Sequence, residues 1–172
     1  MTIEFMRDLL SKDEKITVEY KTCQYGVQED VYETVCSFSN RYGGYIIMGV
    51  EDDGTPIGIN PNMVKNMKKN FVNQLNNPDK MSPTLYLSIE DIVYEGMTLL
   101  WVYVPPTSTV EKCANRIYDR NEDGDMDITD SPIQLQNMYN RKSNTYAEHK
   151  IFPYVTTEDL RMDLMDKVRN LA

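Results

Sequence analysis

At 172 residues, 41% of them hydrophobic, the chain is long enough to bury a core, and a single domain is expected. The formal net charge of −9 disfavours indiscriminate adhesion to nucleic acid, whose phosphates demand clustered Lys and Arg. Three cysteines in no metal-ligand spacing (Cys23, Cys36 and Cys113), an N-terminus without an apolar leader and no run long enough to span a bilayer predict a cytoplasmic protein with reduced thiols and no membrane partner.

IEFMRDLLSK (3–12) places Ile3, Met6, Leu9 and Leu10 on one helical face. KITVEYK (15–21) alternates instead, with Ile16, Val18 and Tyr20 on one side and Thr17, Glu19 and Lys21 on the other, the pattern of a strand with one polar face. A helix is expected over 27–44, with acids in its first turn, Val31, Val35 and Phe38 at helical spacing, and Gly43-Gly44 as its stop. YIIMGVE follows as a central strand, apolar on both faces, and DDGT turns into a short strand, PIGI. PNMVKNMKKNFVNQL (61–75) aligns Met63, Met67, Phe71 and Leu75 along one helical stripe, with Pro61 near its first turn. TLYLSIEDIVYEGMTLLWVYVPP reads as a hairpin turning at YEGM. NRIYDR and QNMYNRK are expected to pair as extended segments, and TTEDLRMDLMDKVRNL to close the chain as a helix at about 157–171.

Between those extended segments lies an acidic loop excursion at 119–130, DRNEDGDMDITD, whose six acids and one arginine carry over half of the charge imbalance. Its spacing fits a calcium-loop template, with Asp119, Asn121, Asp123 and Asp130 as side-chain ligands, Asp125 offering its carbonyl and Gly124 at the bend. Position twelve is the shorter Asp and neither flank reads as a helix, since ANRIY is strand-like and Pro132 follows at once. A water-exposed hairpin loop is the competing reading.

Four pieces in this order, ExxxxEYK, ETVCSFSNRYGG, YIIMGVEDDGTPIGI and YNRKSNT, resemble the Schlafen-type AlbA domain, to which DNA or RNA binding is ascribed in regulator-like bacterial proteins. The resemblance covers roughly residues 10–150 and implies an α+β fold, a mixed β-sheet with helices packed against it. From the ribonuclease-active members it implies a carboxylate trio holding Mg²⁺ or Mn²⁺ beside a scissile phosphate, at Glu14, Glu19 and Asp52, with Lys21 alongside. Glu14 and Glu19 would point to opposite faces of one continuous strand, so Glu14 must fold back from the preceding turn. The plainer alternative is a solvated Glu14, a surface pair between Glu19 and Lys21, and an Asp52 that begins a turn.

Binding without cleavage draws on other residues. Arg116, Arg120, Arg141 and Lys142, with Tyr118 and Tyr139 interleaved, combine bidentate phosphate donors with stacking faces. The family's Tyr-x-Arg-x-Gly-Ser element corresponds to Tyr139–Ser143, with Lys142 where glycine is usual. Lys65, Lys68 and Lys69 form a second candidate cluster. No phosphate-cradling loop supports ATP, no G-x-S-x-G nucleophile is present, and the lone His149 reads as structural. The leading expectation is a regulatory nucleic-acid-binding domain. A divalent-metal-dependent endoribonuclease and a calcium-stabilised interaction module are its rivals, and a homodimer is among the assemblies open to it.

Overall fold

The computed structural model describes residues 1–11 and 16–148, with side chains to 143. Glu14, His149 and the expected helix at about 157–171 lie outside the described residues. The order is α1 (Ile3–Leu10), β1 (Val18–Lys21), α2 (Asp30–Asn40), β2 (Gly44–Met48), α3 (Val64–Leu75), β3 (Met81–Ser82), β4 (Ile89–Tyr94), β5 (Met97–Val104), β6 (Lys112–Cys113), β7 (Tyr118–Asn121), β8 (Gly124–Asp127) and α4 (Pro132–Glu148). This is the expected α+β class. Among the described residues no helix is long and apolar enough to cross a membrane.

The main sheet runs β1-β2-β5-β4, with β1 parallel to β2 and the other pairs antiparallel. A parallel pair needs a crossover, and α2 supplies it. Strand alternation divides the sheet into two apolar faces. Ile46, Met48, Leu100, Val102 and Val104 pack under α2 and α3, while Val18, Tyr20, Ile47 and Leu99 pack under α1, where the Tyr20 hydroxyl donates to Leu9 O at 2.6 Å.

The glycine pair is required by its surroundings. Gly43 has φ +73°, and a Cβ there would stand 2.6 Å from Val104 O; one on Gly44 would meet the Phe38 ring at 2.8 Å. Together they let the chain turn off α2 and enter β2 directly beneath it.

The structure departs from the sequence-based expectation at two elements. PIGI forms only an isolated bridge, Val50 with Pro56. QNMYNRK lies in α4 and not in a strand, because Pro132 opens that helix, where a missing N–H costs nothing. Met138 of α4 is fully buried against Ile117 and Ile128, a third small core that docks the helix beside the hairpin β7–β8.

Candidate functional site

Helix α2 is buried nearly all round because it carries two stripes. Val31, Val35 and Phe38 face the sheet, whereas Thr34, Ser37 and Asn40 face β7–β8 and bond to it. Thr34 Oγ1 and Ser37 Oγ donate to the Asp125 carboxylate at 2.6 and 2.5 Å. Asn40 Nδ2 donates to Glu111 O and Tyr118 O, each at 2.9 Å, and its Oδ1 accepts from Glu111 N at 2.8 Å.

The hairpin thus lies over the face of β1 that the sequence pattern assigned to solvent. Arg120, its side chain 3% exposed, pairs with Glu19 and, at 2.7 Å, with Asp125, and its guanidinium stacks 4.9 Å from the Phe38 ring centroid. The other Glu19 oxygen pairs with Lys21 at 2.8 Å, and Lys21 also pairs with Asp30 at 2.9 Å. Burial pulls the Lys21 pKa down, but its bonds to Glu19 and Asp30 outweigh that and hold it above the usual lysine range. Burial likewise opposes the Arg120 charge, and Glu19 and Asp125 overcome it.

Both oxygens of Glu19 are therefore committed to cations of the protein itself. Asp52 sits exposed in the turn after β2, bordering a shallow cleft with Thr22, Glu51 and Asp53. Within that turn Asp53 accepts from Thr55 N at 2.8 Å. Among the described residues no three His, Cys, Asp or Glu side chains are grouped to hold a metal ion. Glu19 is thus paired with cations of the protein while Asp52 stands exposed, and Glu14, the third acid of the trio, lies outside the described residues.

The run read as a calcium loop folds as a tight hairpin in which Asn121 pairs with Gly124 across two connecting residues, Glu122 and Asp123. Arg120 and Asp125 are cross-strand partners, so Asp119, one residue before Arg120, points to the opposite face of the ribbon from Asp125. Asn121 Oδ1 accepts from Asp123 N at 2.9 Å, which closes the turn, and Asp123 and Asp130 are exposed. Asp119 and Asp125 find arginines and hydroxyls within the fold.

Of the candidate nucleic-acid contacts, Arg120 and Lys142 are turned inward. Lys142 Nζ donates to Ser39 O, Thr107 O, Thr107 Oγ1 and Thr109 O at 2.6–3.2 Å, and burial pulls its pKa down to about 8. Tyr118 is buried with its hydroxyl donating to Glu33 at 3.0 Å. Tyr139 is exposed, as is Arg116, which pairs with Asp127 at 2.9 Å. On α3, Lys65 and Lys69 are exposed and Lys68 pairs with Asp91.

Arg141 is half-buried and meets Asp119 at 3.0 Å; Arg41, at the C-terminus of α2, approaches the same carboxylate at 3.5 Å. Arg41 also lies 5.0 Å over the ring of exposed Tyr42. Arg41 and Tyr42 were not among the sequence-derived candidates. Their signal was position: a cation and an aromatic residue between a helix end and a glycine pair, where side chains splay outward.

Among solved structures, the DIP2311 protein from Corynebacterium diphtheriae is similar in fold, with 16% identity and a TM-score of 0.53. The match covers 73% of this chain and 29% of that one, so the shared unit is less than a third of that protein. The N-terminal domain of a RecG-related protein from Nitrosomonas europaea aligns at 26% identity with a TM-score of 0.47, covering 60% of this chain and 72% of that one. No curated protein matches the chain. The Schlafen, AlbA_2 family matches residues 4–129, which hold both strands of the parallel pair, α2 and the whole hairpin that covers them. On that match the chain belongs to the Schlafen AlbA_2 family.

Proposed function

We propose that this chain binds nucleic acid, DNA or RNA, through the surface around Arg41 and Arg141, and that it acts by holding the strand, in a regulatory role, and not by cutting it. The observation that carries the reading is the convergence of two partly exposed arginine side chains, from the end of α2 and from α4, on the single Asp119 carboxylate beside the exposed Tyr42 ring. Two cations against one anion leave a fixed positive excess, and Arg offers planar, bidentate contacts to phosphate. The overall charge is −9, so the reading rests on this local excess and not on the chain's total. Family membership supports the same reading. Glu19, one of the three acids that the resemblance implies for metal-assisted cleavage, is held by Lys21 and Arg120.

The test is retention of labelled DNA and RNA across a salt series by the wild type and by Arg41→Gln. Affinity should fall steeply with salt, and loss of one phosphate contact should lower the log–log slope by roughly 0.7–0.9. Absence of retention at low salt, or retention indifferent to salt, would refute the reading.

A further inference from the structure

Beyond Arg41 the chain enters a face of the sheet that none of these contacts uses. Tyr45 of β2 and Tyr103 of β5 are cross-strand partners, with ring centroids 5.0 Å apart. Phe5 of α1 meets Tyr45 edge-on at 5.4 Å, and Trp101 lies 6.4 Å from Tyr45. With Tyr42, the Phe5, Tyr45 and Tyr103 rings border a groove of about 300 Å³ that Gly43 and Gly44 also line. The rings are only partly used by the core: Tyr42 is 56% exposed and Tyr103 45%. Exposed aromatic surface gathered in one place marks a contact site and is unlike scattered exposed residues.

We infer that this groove takes unpaired nucleobases, so that the nucleic acid bound is single-stranded. The inference rests on the reading above and specifies its ligand. Aromatic faces at this density give stacking platforms tolerant of base identity, and only an unpaired strand offers its base faces; in a duplex they are already stacked on one another.

Charge selects a nucleotide over an apolar peptide. The rim at Tyr42 carries the Arg41 guanidinium, whose hold on Asp119 is long at 3.5 Å while Arg141 holds that carboxylate at 3.0 Å. Arg41 can therefore turn to a phosphate without stranding an acid. The exposed acids Glu51, Asp52 and Asp53 lie past the far end of β2, roughly 13 Å of strand from the groove. On the other side α1 presents Glu4 and Asp8 along with Arg7, which directs the sugar-phosphate backbone toward Tyr42 and away from the helix.

The experiment compares an oligothymidylate, an oligouridylate and a DNA duplex of equal length, all with the intact chain. Its only tryptophan, Trp101, lies in the aromatic cluster and reports stacking through its fluorescence. Single strands should quench that fluorescence and bind at least about tenfold more tightly than duplex. Tyr103→Ala should weaken single-strand binding roughly tenfold, Tyr103→Phe should restore it, and duplex binding should be unchanged in both. Tyr42→Ala, at an exposed position, should behave as Tyr103→Ala does without loss of fold. Equal binding of duplex and single strand, or single-strand affinity untouched by Tyr103→Ala, overturns this inference while leaving the broader reading standing if Arg41→Gln still lowers the salt slope of binding. A dimer of this chain that Tyr103→Ala dissociates would assign the groove to a second copy and overturn it as well. No binding of any nucleic acid removes both.

Discussion

Replacing Arg120 by Met isolates the closed ion network over β1. The guanidinium bridges Glu19 and Asp125 from a position 3% exposed, against side-chain exposures of 10% and 15% for the two acids. Arg120→Met keeps an unbranched side chain but takes the guanidinium off the Phe38 ring and leaves both acids short of their cation. Breaking a buried pair by removing one partner costs about 3–5 kcal/mol. For a chain of 172 residues that corresponds to a fall of roughly 6–20 °C in melting temperature. Urea unfolding followed by circular dichroism measures it. The double variant Glu19→Gln/Arg120→Met removes the stranded charge on β1 and should be more stable than the sum of the single losses predicts, by about 1–3 kcal/mol. A loss under about 1 kcal/mol in Arg120→Met, or strict additivity in the double variant, would refute the view that Glu19 and Arg120 form one buried unit.

Lys142 gives a pH-dependent expectation. Its folded pKa is pulled down to about 8 by burial, below the ordinary value of 10.5, with Glu111 opposing the fall and Arg141 adding to it. The unfolded chain therefore binds the proton more readily between these values, so stability rises as pH climbs from about 8 to 10.5, by at most about 3 kcal/mol. The melting temperature of the wild type should gain on that of Lys142→Met across this range; parallel curves would show that the four oxygens around Nζ already hold the charge at no net cost. At the glycine pair, Gly43→Ala meets both a left-handed backbone and a carbonyl 2.6 Å away, whereas Gly96→Ala, with φ +79° and open space, meets only the first. Gly96→Ala should cost about 1–2 kcal/mol, and Gly43→Ala at least twice that, read by urea midpoint; equal losses would show that the contact with Val104 relaxes freely.

Much of the scaffold was legible because its signals are local. Apolar spacing gave α1, α2 and α3, the apolar run and glycine stop gave β2, and YEGM gave the β4–β5 hairpin within a few residues of its observed limits. Helix α4 was not, because a proline that opens a helix looks in sequence like one that forbids it. The site was the least legible part. Glu19 and Lys21 alternate as a solvent-facing pair would, and nothing near them reveals that Arg120, 101 residues away from Glu19, closes over them. The clue lay on α2, where Thr34, Ser37 and Asn40 recur at helical spacing as a second, polar stripe; small polar residues along a buried helix call for partners across it. In the same way Tyr45 and Tyr103 are unremarkable in sequence, and the β2–β5 register alone sets them side by side.

The central claim is that Glu19 serves the fold and that the chain holds a strand without cutting it. Incubating end-labelled single-stranded RNA with the wild type and with Glu19→Gln in Mn²⁺ reads binding and cleavage from one native and one denaturing gel. The account predicts a shifted, intact RNA with the wild type, unchanged in length at every Mn²⁺ concentration. Shortened RNA that appears with Mn²⁺ and disappears in a folded Glu19→Gln variant would contradict it.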